Sequence, residues 1–233
     1  MADELVVKMI SERRVQGKPL GRHVEHDPQS LEYSVIEQVV PKGQPIVSVA
    51  HARHAPPFNQ GTLGSCTGNA AAGLLMTDPF FTQGRTLTES DAVLLYEKAT
   101  HLDRIAGAYP PDDTGSSGLA VMKAAKGFGY VSAYHHAFGL DAALRTLSVM
   151  PVITGVAWYE GFDNPDASGY VAISGSVRGG HEFEVLGNDT DKKRVRACNS
   201  WGDSWGDHGY FEFSWDDFDR LLHEQGDVTV AAS

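Results

Sequence analysis

Gln60-Gly61-Thr62-Leu63-Gly64-Ser65-Cys66-Thr67-Gly68-Asn69-Ala70 is the stretch on which the fold of this 233-residue chain turns. Glycine, proline, asparagine and glutamine crowd positions 55–65, which marks a loop. The small residues of 67–73, followed by Leu74, Leu75 and Met76, read as a buried helix. Cys66 therefore falls at that helix's N-terminus. Unpaired N–H groups and the dipole at such an end stabilise an anion, and a nearby imidazolium adds to this, lowering a thiol from ~8.5 to as little as ~3.5. A thiolate at neutral pH is the expectation. A lone cysteine is more often a small buried hydrophobe, so the context has to decide.

That context lies more than a hundred residues on, in Gly179-Gly180-His181, in Asn199-Ser200-Trp201-Gly202, and in Trp205, Gly206, Gly209 and Tyr210. These two blocks, the spacing from Gln60 to Cys66 and the order Cys, His, Asn resemble the papain family of cysteine peptidases (C1-type). The resemblance covers 60–70 and 179–211. The intervening helices and the loop 113–118 are more similar to shorter bacterial and phage members than to plant or lysosomal enzymes.

The resemblance implies a catalytic set of Cys66, His181, Asn199 and Gln60. Cys66 would be the attacking sulfur, and His181 would hold its proton and later deliver it to the leaving amine, the two resting as an ion pair. Asn199 would hydrogen-bond the far ring nitrogen of His181 under the cover of Trp201. Gln60 would aim a side-chain N–H at the oxyanion, joined by the backbone N–H of Cys66. The implied activity is peptide-bond hydrolysis through a thioester acyl-enzyme, without a cofactor. A papain-like binding or virion structural domain with weak or no peptidase activity stays open as a second reading.

The implied substrate-binding positions are Gly118, Gly155, Gly180, Glu182 and Trp201. The loop 113–118 falls where the family's glycines pair with an extended substrate, and Gly155 is expected at the wall of the pocket for the second substrate residue. Two departures from the pattern stand out. Leu63 replaces a disulfide cysteine and Thr67 replaces a tryptophan. Glu182 and Glu184 alternate with Phe183 and Val185 where the family's strand is generally apolar, so one strand face is expected to be solvated, paired with a cation, or part of the cleft; the solvated face is the ordinary outcome. If Glu182 lines the cleft, basic or polar substrate side chains are preferred.

The remaining composition narrows the function classes. Thirty acidic against nineteen basic residues give a net charge of -11 with no basic run, which excludes an electrostatic footprint for nucleic acid or anionic membrane. The apolar stretch 147–159 is too short for a bilayer and contains Pro151. No secretory signal is recognisable over 1–14, so a cytoplasmic or phage-associated protein is expected. Two cysteines, one of them needed free, make no disulfide framework. His51 with His54, and His135 with His136, lack further ligands at zinc spacing, and 163–169 does not match a calcium loop, so no metal is expected.

Helical patterns precede β-favouring ones, which predicts an α+β protein: an arm over 1–50, a helical lobe over about 60–148 and a β-rich lobe over about 149–233. Helices are expected from Thr88, capped with Asp91, over 119–126 and 140–148, and over 215–224 capped by Ser214 with Asp217. Strands are expected over 152–159, 181–186, 194–198 and 210–213. The expected partner is a peptide or protein substrate. The arm is free in this reading to cover the cleft, brace the fold or bind a partner protein.

Overall fold

The computed structural model describes residues 4–35 and 38–232; positions 1–3 and 36–37 of the expected arm, and Ser233, lie outside the described residues. In chain order the elements are β1 (Val6–Lys8), β2 (Val24–His26), β3 (Val49–Ala50), α1 (Cys66–Leu75), α2 (Glu89–Thr100), α3 (Gly118–Gly127), β4 (Ala133–His136), α4 (Leu140–Leu147), β5 (Val152–Tyr159), β6 (Val177–Asp189), β7 (Arg194–Cys198), β8 (Tyr210–Ser214), α5 (Trp215–His223) and β9 (Asp227–Ala232). The predicted caps form: Thr88 N–H donates to Asp91 at 2.8 Å, and Asp217 N–H donates to the Ser214 hydroxyl at 3.0 Å. No helix among the described residues is long and apolar enough to cross a membrane.

Every residue of α1 is buried, because its glycines and alanines let neighbouring backbone come close. A Cβ on Gly68 would collide with the Ala92 carbonyl of α2. The helix is thus wedged between α2 and β6, and its core-facing residues join those of α2 and α3 in one apolar cluster. A second cluster, rich in Trp158, Phe162, Phe183, Phe211, Phe213 and Phe218, fills the sheet side and includes Ala143, Leu144 and Leu147 of α4.

The sheet is antiparallel with strand order β4-β9-β5-β6-β7-β8, and β3 adds to β6. All eight residues of β5 are buried, as a β-branched and aromatic central strand should be. The 13-residue β6 pairs with β5 from Val177 to Val185, whereas its pairing with β7 begins only at Glu184. One backbone edge of 179–183 is thereby left to other partners. Its acids overturn the expectation of a solvated face: Glu182 is 0% and Glu184 1% exposed, because α1 covers that side and each carboxylate stands beside a buried arginine.

Residues 10–23, between the paired strands β1 and β2, form a strap across the body of the molecule. Leu20 on this strap is buried in the sheet core.

Candidate active site

Cys66 is the first residue of α1, and the turn before it is held from both sides. Gln60 N–H donates to the Ser200 carbonyl at 2.9 Å, and Gly64 N–H meets the Asp113 carboxylate at 3.0 and 3.1 Å. Asp113 also accepts from the Tyr96 hydroxyl at 2.7 Å, and that oxygen accepts from Gly115 N–H at 2.9 Å. Sequence reasoning missed this Asp113–Tyr96 brace, since a helix tyrosine and a loop acid have no fixed spacing that announces them.

The backbone N–H groups of Thr67 and Glu182 point at the Cys66 sulfur. Glu182 follows His181 on β6, so the helix start and the histidine strand meet at this point. His181 Nε2 lies 2.7 Å from Asn199 Oδ1, which also accepts from Ser200 N–H at 2.7 Å. An amide oxygen can only accept, so Nε2 carries the ring hydrogen and Nδ1 presents a lone pair. Nδ1 has no hydrogen-bond partner although the residue is fully buried. Trp201 lies over the imidazole at 5.2 Å and 31°, and Trp158 meets it edge-on at 4.7 Å.

Gln60 donates through Nε2 to the Leu63 carbonyl at 2.8 Å and accepts from the Ser200 hydroxyl at 2.6 Å. A primary amide has two N–H bonds, so one remains for another acceptor.

The strap lies in the groove above these residues. Gly21 and Arg22 N–H both donate to the Gly180 carbonyl, at 3.2 and 3.0 Å; His23 N–H donates to the Ser116 carbonyl, and Ser116 N–H to that of Gly21, each at 2.8 Å. Trp201 Nε1 donates to the Pro19 carbonyl at 2.9 Å. Gly21 has φ +149°, and a Cβ there would collide with the Gly64 carbonyl two residues before Cys66. Gly155 lies against the Arg22 side chain and the Glu182 and Asp227 carboxylates, Gly118 against those two carboxylates, and Gly180 against the Arg22 carbonyl. A cavity of about 490 Å³ is lined by residues including Leu119, His136, Leu222 and Asp227, and Cys66 is not part of its wall.

Covering the site changes its protonation. Burial pushes the Cys66 thiol far up and His181 down to about 3, with the Asn199 bond opposing the latter shift only in part. Both shifts oppose the expected thiolate–imidazolium pair while the site stays covered. Without water, both groups are more stable neutral.

No family model matches the chain. Its sequence is 30% identical over 113 residues to a cathepsin B-like protein, CP3, of Giardia intestinalis; the match takes in 44% of this chain and 38% of that protein, well under half its length. Among solved structures it is similar to xylellain, a cysteine protease from Xylella fastidiosa, with TM-score 0.61, 18% identity and coverage of 96% of this chain and 99% of that one. Bromelain from Ananas comosus, solved with the E64 inhibitor, gives TM-score 0.56 at 17% identity over 77% and 94% of the two chains. The proform of the ragweed pollen cysteine protease Amb a 11 gives TM-score 0.57 at 15% identity over 88% and 71%. The chain has the papain-like α+β fold.

Proposed function

We propose that the chain is a cysteine-type peptidase in which Cys66, His181, Asn199 and Gln60 act together. The observation that carries this is the orientation of His181: Asn199 holds Nε2–H, and the unpartnered Nδ1 is left at the strand position that meets the start of α1.

With substrate bound, Nδ1 holds the Cys66 proton while the thiolate attacks the carbonyl carbon, forming the C–S bond as the C=O π electrons become an oxyanion. The Cys66 backbone N–H and the second Nε2 hydrogen of Gln60 stabilise that oxyanion. Collapse breaks the C–N bond, and His181 gives its proton to the departing amine. A thioester remains. Water then attacks it with His181 as base, and the thiol is regenerated as the carboxylic acid leaves.

The strap must leave the groove before a peptide can enter. Readmitting water removes the desolvation that keeps both groups neutral, so the thiol falls, the imidazole rises and the ion pair forms on opening.

The test is hydrolysis of an unbiased peptide mixture by the native chain and by Cys66→Ser, His181→Ala and Asn199→Ala, followed by mass spectrometry. Cleavage lost in the first two and slowed in the third is expected. Cleavage that survives Cys66→Ser contradicts the reading.

A further inference from the structure

Arg22 turns its fully buried side chain out of the strap towards Glu182 and Asp227. Nη2 pairs with Asp227 Oδ2 and donates to the Gln225 carbonyl at 2.8 Å. Nε and Nη1 have no hydrogen-bond partner. The same is true of both Glu182 oxygens and of Asp227 Oδ1. Two acids thus face one guanidinium with most of their hydrogen-bonding capacity unused.

The pocket walls are glycines for a spatial reason. A Cβ on Gly118 would stand 2.7 Å from Glu182 Oε1 and 2.8 Å from Asp227 Oδ1. On Gly155 it would stand 2.7 Å from Arg22 Nε and 3.0 Å from Asp227 Oδ2. Any larger residue at either position would fill the space that the guanidinium and the acids share.

A fully buried carboxyl group whose two oxygens make no hydrogen bond is costly whether ionised or protonated, so stability alone gives the fold no reason to keep Glu182 there. We propose that Gly118, Gly155, Glu182 and Asp227 form a specificity pocket for an arginine side chain of a peptide substrate, which Arg22 fills as an internal stand-in. This rests on the peptidase reading above. Gly21, the residue before Arg22, passes between Gly64 and Gly180 over the turn that leads to Cys66. The substrate arginine accordingly sits within one or two residues of the bond that is cut.

The incomplete hydrogen bonding of Arg22 suits a stand-in. A guanidinium arriving on another backbone can meet both acids with its planar, five-donor fork, making the contacts that Arg22 leaves unmade. A lysine ammonium is a point charge and cannot span both carboxylates, so it ranks below arginine and above the uncharged isosteres. Binding and unmasking are then one event: the substrate that fits the pocket also competes the strap away.

The test uses the full chain carrying Arg22→Ala, which empties the pocket, with Gly21→Ala as a second background in which the strap is displaced sterically. Cleavage is compared for peptides that differ only in arginine, lysine or norleucine at each position near the cut. Affinity for the same peptides is measured by calorimetry in the same variants with Cys66→Ala added. A preference of at least tenfold for arginine over norleucine in both readouts is expected, falling below twofold on adding Glu182→Gln with Asp227→Asn. Equal or better cleavage of the norleucine peptide overturns the pocket and leaves the peptidase standing. Selective binding of the arginine peptide with no cleavage of any peptide upholds the pocket and overturns the peptidase. Equal binding of all three peptides overturns the pocket whatever the cleavage shows.

Discussion

β6 carries two buried acids on one face, and each stands beside a thiol and an arginine: Glu184 with Cys198 and Arg53, Glu182 with Cys66 and Arg22. At the first, Arg53 pairs with Glu184, donates to the carbonyls of Ala55 at 3.1 Å and Pro56 at 3.4 Å, and lies over Phe58 at 5.2 Å. All its nitrogens are used by partners close in sequence or on β6. At the second, two guanidinium nitrogens and both Glu182 oxygens are unused, the arginine comes from the strap, and a histidine with an open nitrogen stands alongside. The same residue types make a structural lock in one place and an unfinished site in the other; the difference lies in whether the partner can leave.

Hydrolysis separates the two thiols most widely. Cys66→Ser is expected to lower kcat on the order of 10⁴–10⁶-fold, the scale for removing a nucleophile. Cys198→Ser is expected to leave kcat within about twofold, since burial pushes that thiol up to about 12 and no imidazole touches it. Comparable losses in both variants, read from initial rates, would break the distinction.

Stability separates the two arginines. Arg53→Ala leaves Glu184 buried without its cation and is expected to cost ~3–5 kcal/mol, about 10 °C in Tm for a chain of this size. Arg22→Ala is expected to cost clearly less. Burial and the neighbouring Asp227 already hold the Glu182 carboxyl well above the usual carboxylate range, so it can stay protonated. Equal shifts in a melting experiment would show that the strap is a lock as well.

Gln60→Ala is expected to lower kcat by roughly 10²–10³, the cost of one oxyanion donor. The KM should change little, because the contact forms in the transition state. A rise in KM at constant kcat would reassign Gln60 to bracing Leu63 and Ser200.

The smallest expected effect is pH dependence. Burial lowers His181 to about 3 and His136 to about 4, and lowers His23, His26 and His135 as well. Each binds a proton more readily when unfolded, so stability is complete above the ordinary histidine value of ~6.5 and declines as pH falls from there towards 3. Glu182 works in the opposite direction but contributes a single proton. The Tm should therefore drop between pH 7 and pH 5; an unchanged or rising Tm would contradict the burial of these rings.

Much of the site was legible because its signals are local. The Gly-rich loop into a small-residue helix, and the capped starts at Thr88 and Ser214, are set by neighbouring residues, and Asn199 and Trp201 lie against His181. What stayed hidden is non-local. Arg22 and Asp227 are 205 residues apart, and nothing near either one announces the other. His135 and His136, weighed only as metal ligands, belong to β4, whose strand character comes from pairing with β9 at the far end of the chain. The solvated face expected for Glu182 and Glu184 failed for the same reason: the arginines that make burial tolerable come from other segments. At Cys66 the helix terminus does not act alone, because burial under the strap pushes the thiol up against it.

Intact-mass labelling with an epoxysuccinyl peptide, comparing the native chain with Gly21→Ala between pH 5 and 8, tests the masked thiol most directly. The alanine Cβ collides with the Gly64 carbonyl and lifts the strap without touching the nucleophile. One adduct is expected, on Cys66, slow in the native chain and at least tenfold faster in Gly21→Ala, with none after Cys66→Ser is added. Labelling on Cys198, or no adduct in a folded Gly21→Ala chain, would contradict a strap-masked catalytic thiol.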